Sequence, residues 1–419
     1  MKLGIIGLGY VGLITGVGFA SLGHKVIGLD VDKEKIEKIN KQICPIYEYG
    51  LEEKLREIKD NFVATYKIEE LEDCKIIFIC VGTPSKEDGS IDLTYIRQVA
   101  NDISRILNNY KVITIKSTVV PGTTESLIPI LERDGKEIGK DFGLAMNPEF
   151  LREGQALKDF FEPDRIVIGC YDEKSKKILE ELYKEFNYPK IFTNIKTAEM
   201  IKYASNAFLA TKISFINEIG NICKKLGIDV YDVAEGMGYD KRIGRAFLNA
   251  GIGFGGSCFP KDVKALIAKA KEIGGEVKLL EEVIRLNEKQ PLKILEILKK
   301  KYEKLENKKV AILGLTFKSY TDDVRESRTI PIIRELLREK AIIYAHDPKG
   351  IENMKLIFPE NENLFYLRNA QEAIDKSEII LLLTDWPQFK ELNFKDKFVV
   401  DGRYIVPKEK RNKYEGICW

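Results

Sequence analysis

Short apolar runs alternate with longer amphipathic stretches over the N-terminal part of the chain, which indicates strands that alternate with helices. Helices are predicted over stretches such as Asp32–Asn40 and Leu93–Leu107. The predicted strands are Lys2–Ile6, Lys25–Asp30, Ile76–Val81, Val112–Ile115, Phe142–Met146 and Arg165–Gly169. Because this alternation places helices on both faces of a parallel sheet, we expect a doubly wound α/β domain.

The pattern changes at Thr197. Apolar residues then repeat at helical spacing as far as Leu226, which predicts one long helix. Further helices are predicted over Lys261–Ile273 and Leu279–Lys301, so the middle of the chain is expected to be all-helical. The charged stretch Lys299–Lys309 is predicted to be a linker.

The strand and helix pattern restarts at Lys309. Val310–Gly314 is predicted to be a strand and glycine turn, and Thr329–Arg338 a helix. Later strands are predicted over Ala341–Ala345, Ile379–Leu383 and Phe398–Val400. We therefore expect three domains: an α/β domain (1–195), a helical domain (196–302) and a second, smaller α/β domain (303–419).

Composition narrows the possible functions of the 419 residues. Lys and Arg number 67 against 65 Asp and Glu, and a net charge of +2 argues against a broad nucleic-acid surface. With only two histidines, neither a metal site nor a histidine-activated nucleophile is expected. The seven cysteines include no CxxC pair, which favours a reducing compartment, and we expect a cytoplasmic protein.

One uncharged run, Leu3–Gly23, has the length of a membrane span or a signal peptide. Seven of its residues are glycines, and their spacing favours a packed strand, turn and helix instead. Within it, Gly7, Gly9 and Gly12 form a GxGxxG motif, which allows a tight turn, close approach to a pyrophosphate and helix packing. Asp30 ends the next strand, where a carboxylate binds ribose hydroxyls and repels a 2′-phosphate. The motif thus predicts NAD rather than NADP.

Four glycines precede Cys258 in the stretch from Gly251 to Asp262. Pro260 suits the first helical position, and a helix start beside Lys261 favours a nucleophilic thiolate. Cys258 and Asp262 would then lie on one helix face. We interpret the glycines as making room for a ligand; the alternative is a buried cysteine in a glycine-rich turn.

Other candidate groups are weaker when taken singly. Lys202 and Asn206 lie one helical turn apart, although an ordinary solvated lysine is an equally good interpretation. Thr83, Thr118 and Glu149 each follow a predicted strand, and ligands of doubly wound sheets bind at those carboxyl ends. Their coincidence at one sheet edge indicates a site more strongly than any one residue does.

These motifs, taken together and in order, resemble the UDP-glucose dehydrogenase family of nucleotide-sugar 6-dehydrogenases. The resemblance extends from Met1 to about Arg403. It is carried by Gly7–Leu13, Val81–Pro84, Ser117–Thr124, Asn147–Gly154, Asp159–Gly169, Ala198–Glu218, Gly251–Asp262, Leu313–Lys318 and Asp322–Ser327. It implies two Rossmann-like doubly wound domains, for NAD and for UDP, joined by a long central helix in an all-helical dimerisation region.

The resemblance also implies a mechanism, namely oxidation of a sugar CH2OH to a carboxylate with two NAD. Cys258 would form a thiohemiacetal and then a thioester, while Lys202 and Asn206 would stabilise the oxyanion. Asp262, Thr118 and Glu149 resemble the family's water-activating groups, and the sequence leaves open which of them is the base.

The resemblance further implies the binding residues. The cofactor set is Gly7, Gly9, Tyr10, Val11, Gly12, Asp30, Lys35, Thr83, Thr118, Glu153, Lys261 and Arg325. The substrate set is Glu149, Phe150, Leu151, Arg152, Glu153, Lys202, Asn206, Arg242, Phe247, Leu248, Asn249, Ala250, Gly251, Gly255, Lys318 and Arg403. A homodimer is expected, with Arg242 reaching the partner's site.

Several positions depart from the family pattern and leave the sugar nucleotide open. Ser319-Tyr320 replaces the usual Pro-Asn, and Arg328 the usual Pro. Ser257 and Asp164 favour UDP-glucose, with GDP-mannose or a UDP-N-acetyl-hexosamine as alternatives. An inactive NAD-binding assembly protein is the alternative of a different class, and the retained Lys202, Cys258 and Asp262 argue against it.

Overall fold

The computed structural model describes all residues, Met1–Trp419. The chain divides into two compact units, Met1–Ser205 and Asn206–Trp419. The boundary falls inside one long helix, Ile195–Leu226, which is two residues longer at its start than the sequence predicts.

The first unit alternates strands with helices. Its strands are β1 (Lys2–Ile6), β2 (Lys25–Leu29), β3 (Phe62–Thr65), β4 (Ile76–Ile79), β5 (Lys111–Ile115), β6 (Phe142–Met146), β7 (Ile166–Cys170) and β8 (Lys190–Thr193). Its helices are α1 (Tyr10–Ser21), α2 (Lys33–Asn40), α3 (Leu51–Glu57), α4 (Thr94–Ser104), α5 (Ile128–Leu131), α6 (Ala156–Phe161) and α7 (Glu173–Leu182), followed by the start of α8 (Ile195–Leu226).

These eight strands form one sheet in the order β3-β2-β1-β4-β5-β6-β7-β8. Neighbouring strands are parallel, except that β6 and β7 are antiparallel, so the prediction of a purely parallel sheet was wrong at this pair. The chain between them contains only the six-residue α6. A full crossover helix, which a parallel connection usually requires, is missing there, and β7 returns in the opposite direction.

The glycine-rich run near the N-terminus forms β1, a turn and α1, as predicted. Nine consecutive residues of α1, Gly12–Ala20, are buried, because strands and other helices surround this helix. None of the helices in the chain combines the length and the apolar character needed to cross a bilayer.

The second unit begins with the rest of α8 and continues with helices. They are α9 (Val230–Gly238), α10 (Phe259–Glu272), α11 (Lys278–Lys289), α12 (Lys293–Lys301), α13 (Thr329–Arg338), α14 (Ile351–Ile357) and α15 (Ala370–Lys376). The predicted single helix Leu279–Lys301 is divided into α11 and α12 by a short 3-10 turn at Pro291. Proline lacks the N–H that would continue the helix, and its ring clashes with the preceding turn.

The second unit also contains a parallel six-stranded sheet. Its strands are β9 (Lys309–Leu313), β10 (Ile342–His346), β11 (Leu364–Tyr366), β12 (Ile379–Leu382), β13 (Phe398–Asp401) and β14 (Tyr414–Gly416). The order is β11-β10-β9-β12-β13-β14, so the chain winds to both sides of β9, as it does around β1 in the first sheet. The predicted fold class, two doubly wound sheets and a helical middle, is confirmed.

Candidate active site

The turn between β1 and α1 has the geometry that the GxGxxG motif predicts. Gly7 has φ +91, a conformation that favours glycine, and its N–H donates to Leu29 O at 2.8 Å. A Cβ on Gly12 would collide with the carbonyl oxygen of Gly7, so only glycine lets α1 pack this closely. A Cβ on Gly9 would meet no atom within 4 Å, so this side of the turn is open to a ligand.

Helix α1 begins without a side-chain cap, so its first N–H groups, those of Tyr10 and Val11 among them, can bind an anion. Asp30 follows β2 and accepts hydrogen bonds from Leu8 N (2.7 Å) and Lys35 Nζ (3.0 Å). Burial works to raise the pKa of Asp30, but its hydrogen bonds to Asp32 N, Lys35 and Leu8 outweigh burial and lower it. The carboxylate is therefore charged beside the turn.

A cavity of about 310 Å³ opens at the same edge of the sheet. Its walls are largely apolar, which suits the flat ring of an adenine. They consist of Ile6, Leu29, Val31, Tyr66, Lys67, Ile68, Glu69, Val99 and Asp102. An open glycine turn, an uncapped helix start, a charged carboxylate and this cavity together fit a dinucleotide such as NAD.

The loops after β4, β5 and β6 meet at the carboxyl edge of the first sheet. Thr83, after β4, donates its hydroxyl to Thr118 O, after β5, at 3.1 Å. Glu149 follows β6, which pairs with β5 in the sheet. The sequence argument that these strand ends share one edge is thus confirmed.

Lys202 and Glu149 form a buried ion pair in the first unit. The Lys202 Nζ lies 3.0 Å from Glu149 Oε1, and the two side chains are only 4% and 7% exposed. The other carboxylate oxygen of Glu149 accepts the N–H of Leu151 at 2.5 Å. The interpretation of Lys202 as an ordinary solvated lysine is therefore wrong.

Two of the residues that follow Glu149 make contacts that involve cationic side chains. The ring of Phe150 has the Arg165 guanidinium 3.6 Å and the Lys202 ammonium 5.2 Å from its centre. Arg152 forms a bidentate pair with Asp159, with Nε–Oδ2 and Nη2–Oδ1 distances of 3.0 and 2.5 Å. This pair holds the loop in shape, whichever ligand the loop meets.

In the second unit, Cys258 is exposed at the position that caps the N-terminus of α10. Asp262 N donates to Cys258 O at 2.8 Å, so the predicted i, i+4 relation is confirmed. Pro260 is the second residue of the helix and not the first. The other six cysteines are buried or half-buried, which leaves Cys258 as the exposed thiol.

Asp262 lies below this thiol in the helix and is 1% exposed. Its two carboxylate oxygens accept from different partners, Asn206 Nδ2 at 2.6 Å and Lys261 Nζ at 2.7 Å. Asn206 lies on α8, four residues after Lys202. A buried carboxylate held by an amide and an ammonium group is a fixed charge beside the start of α10, suited to orienting a substrate oxygen or a water.

The space beside the glycines before Cys258 is occupied by other parts of the protein. This corrects the interpretation that these glycines make room for a ligand. A Cβ on Gly251 would meet Gly402 O, one on Gly255 would collide with Glu326 O, and one on Gly256 would press on the Phe317 ring. Gly253 and Gly256 also have positive φ, +103 and +83. These glycines let the loop pack closely against other segments of the second unit.

The loop before this turn contains further predicted substrate residues. Phe247 has φ +65, and its ring lies edge-on to Phe259, with 6.1 Å between centres. Leu248 and Ala250 are buried, Asn249 is exposed, and Ala250 O accepts the Tyr231 hydroxyl at 2.8 Å.

The remaining predicted cations occupy different settings. Arg403 donates Nε to Leu383 O at 3.1 Å, next to Gly251. Arg325 pairs with Asp323 at 2.7 Å, and Lys318 lies 5.7 Å from the Phe317 ring centre. The Arg242 side chain is 89% exposed and pairs only locally, with Asp240 at 2.6 Å.

Family models cover almost the whole chain. Residues 1–187 match the NAD binding domain of the UDP-glucose/GDP-mannose dehydrogenase family, residues 196–289 its central domain and residues 311–408 its UDP binding domain. The chain belongs to the UDP-glucose/GDP-mannose dehydrogenase family. It is an NAD-dependent dehydrogenase, and the dinucleotide turn of the first unit lies in the family's NAD binding domain.

Relatives of this dehydrogenase extend over its full length. It is 45% identical to the UDP-glucose 6-dehydrogenase of Rickettsia bellii, across 97% of this chain and 96% of that protein. A solved UDP-glucose dehydrogenase of Pyrobaculum islandicum superimposes with a TM-score of 0.95 at 43% identity, covering 100% and 98% of the two chains. A UDP-D-ManNAc dehydrogenase of Pyrococcus horikoshii gives 0.89 at 29% identity, covering 100% and 99%.

Sequence reasoning missed a buried lysine of this dehydrogenase. Lys116, which directly follows β5, donates to Asn147 Oδ1 at 3.0 Å, and Tyr183 donates to the same oxygen at 2.5 Å. Burial lowers the pKa of Lys116 to about 8, against partial opposition from Cys80 and Glu149. The only sequence signal was a lysine that directly follows an apolar strand.

Proposed function

We propose that this dehydrogenase oxidises UDP-glucose to UDP-glucuronate, with Cys258 as the covalent nucleophile. The observation that carries the proposal is the exposed Cys258 thiol at the start of α10, beside the hydrogen-bonded Asn206–Asp262–Lys261 group. The relatives at 43–45% identity that are named for UDP-glucose support this substrate.

In the first oxidation, the sugar C6 hydroxyl loses its proton as hydride leaves C6. The Glu149 carboxylate, which lies beside the Lys202 ammonium, can accept that proton. The Lys202 ammonium and the Asn206 amide, one helical turn apart, stabilise the developing oxyanion. NAD bound at the glycine turn would supply the hydride acceptor, and each of the two oxidations would consume a separate NAD.

Cys258 then retains the aldehyde. Its thiolate forms a C–S bond to C6, and the carbonyl electron pair moves to oxygen and takes up a proton, which gives a thiohemiacetal. Loss of a second hydride and of the hydroxyl proton leaves a thioester. Water attacks C6, the C–S bond breaks, and the thiolate leaves as the carboxylate forms. Asp262, Thr118 and Glu149 are the proposed groups that activate this water.

We propose that the cofactor and the UDP part of the substrate are bound by different domains. The cofactor set lies mainly in a proposed NAD domain (1–195), and Lys318 and Arg403 serve the nucleotide in a proposed UDP domain (303–419). The helical domain (196–302) lies between them in sequence. The matched ranges of the three family models support this division.

A homodimer completes the proposal. Phe208, Phe215 and Ile222 repeat every seven residues along α8 and are 64%, 43% and 51% exposed, so one face of this helix presents apolar side chains. Such a stripe is suited to the same stripe on a second copy. Arg242, on an exposed segment, would reach the partner's substrate.

A panel of sugar nucleotides with NAD, followed at the nicotinamide absorbance, tests the substrate. UDP-glucose should give NADH at least tenfold faster than GDP-mannose or a UDP-N-acetyl-hexosamine. A tenfold difference in rate corresponds to a difference of about 1.4 kcal/mol in transition-state binding free energy. Faster oxidation of GDP-mannose would favour that alternative. NADH from none of the sugars would favour an inactive assembly protein.

A further inference from the structure

A buried carboxylate in the first unit, that of Glu48, connects its own loop to the start of α1 and to the chain around Gly154. It lies between α2 and α3 and is 7% exposed. The Tyr10 hydroxyl donates to Glu48 Oε2, Gly154 N–H donates to the same oxygen at 2.8 Å, and Ala156 N–H donates to Oε1 at 2.8 Å. One carboxylate therefore accepts from three donors.

The donors come from two functional loops. Tyr10 is the first residue of α1, in the dinucleotide turn. Gly154 lies near the end of the loop that begins at Glu149 and contains Glu153, and Ala156 is the first residue of α6. Gly154 has φ +81, so the chain turns sharply where Glu48 binds it. The Tyr10 hydroxyl also accepts Gly154 N–H at 3.0 Å, which closes the network.

The chemistry of the network requires an acceptor at position 48. Burial, and then Glu48, raise the pKa of Tyr10, so its hydroxyl keeps the proton that it donates. All three partners are donors toward Glu48, and a carboxylate accepts from all of them. An amide of the same size would accept on one side only and would set its own N–H against a donor on the other.

We propose that Glu48 is a positioning residue that, through Tyr10, fixes the loop containing Glu149 and Glu153 against the dinucleotide turn. Its catalytic consequence rests on the function proposed above, in which that loop meets both substrate and cofactor. Reacting groups misplaced by about 1 Å can lose on the order of 100-fold in rate, so a small displacement of this loop is measurable.

The test is a double-mutant cycle of Glu48→Gln, Tyr10→Phe and the double variant, with Glu52→Gln as control. Glu52 is a half-buried glutamate on the neighbouring α3, and its carboxylate pairs with Arg56 of the same helix. The measured quantity is kcat with UDP-glucose and saturating NAD, per NAD-binding site counted by calorimetry. We expect a loss on the order of 10- to 100-fold for Glu48→Gln and about 3- to 10-fold for Tyr10→Phe.

The double variant should lie within about 2-fold of Glu48→Gln, because both changes break one link. A merely structural role would lower the melting temperature and the number of NAD sites but leave kcat per site unchanged, and that result would overturn the proposal. Additive losses would also overturn it. Glu52→Gln should match the wild type in every measurement.

Hydrogen exchange separates failure of this inference from failure of the proposed function. In the NAD-bound protein, the peptide containing Gly154 and Ala156 should exchange faster in both Glu48→Gln and Tyr10→Phe than in the wild type or Glu52→Gln. This holds even if the wild type oxidises no UDP-glucose. Unchanged exchange in Tyr10→Phe would show that the two loops are not linked through Tyr10.

Discussion

Replacing Lys202 with methionine removes one half of a buried ion pair and keeps the side chain's length. Lys202 and Glu149 are 4% and 7% exposed, so water cannot replace the lost partner of Glu149. Breaking a pair of this kind costs about 3–5 kcal/mol, because a buried charge is left uncompensated. The N–H of Leu151 still binds one oxygen of Glu149, which places the expected cost near the lower end, at about 3–4 kcal/mol.

This free energy converts to a large thermal shift. For a unit of the size of Met1–Ser205, one kcal/mol corresponds to roughly 2–4 °C in melting temperature, so Lys202→Met should melt roughly 6–16 °C lower. Differential scanning calorimetry measures this shift directly. The same variant should also produce NADH from UDP-glucose at least 100-fold more slowly, since it lacks the cation that we propose stabilises the oxyanion.

Two further variants decide whether the buried pair is the cause. Lys196→Met removes a lysine from the same helix whose ion pair with Glu125 lies at the surface, and it should cost less than about 1 kcal/mol. Glu149→Gln combined with Lys202→Met leaves no charge at either position of the pair and should be more stable than Lys202→Met alone. The reasoning is refuted if Lys202→Met and Lys196→Met melt together, or if adding Glu149→Gln lowers stability further.

Three other changes test separate parts of the account. Asp30→Asn should reduce the preference for NAD over NADP by at least tenfold in kcat/KM, and equal use of both cofactors by the wild type would refute the role of Asp30. Lys116 has a folded-state pKa of about 8, below its unfolded value, so the free energy of unfolding should rise between about pH 8 and pH 10. Lys116→Met should flatten that rise in urea titrations, and an unchanged dependence of the unfolding free energy on pH would contradict the burial effect. Phe215→Glu should convert a dimer to monomers in light scattering, and a wild type that is monomeric at micromolar concentration and fully active would remove the dimer from the account.

Local sequence signals were enough for much of the fold. β1 and β6 match their predicted bounds, as does α13, because each carries a dense apolar pattern bounded by turn residues. Strands β3 and β8 were missed. Each has only four residues and lies at an edge of the sheet, so its apolar pattern is short and incomplete.

The site was less predictable, because its contacts are long-range. Lys202 meets a carboxylate 53 positions earlier in the chain, and no local pattern shows that it is buried. Glu48 lies among exposed tyrosines in sequence, yet its partners are 38 and 106 positions away. Cys258 was predictable because the glycines, the proline and Asp262 are its immediate neighbours.

The central claim is that Cys258 captures the sugar covalently, and Cys258→Ser tests it most directly. The wild type should release two NADH for each UDP-glucuronate. Cys258→Ser should make no UDP-glucuronate and should stall, or accumulate a sugar adduct visible in the intact-protein mass, because serine forms an alkoxide poorly and its ester hydrolyses slowly. Cys44→Ser, at a half-buried cysteine, is the matched control and should keep full activity. A Cys258→Ser protein that is folded by circular dichroism and makes UDP-glucuronate at close to the wild-type rate would contradict covalent catalysis at this residue.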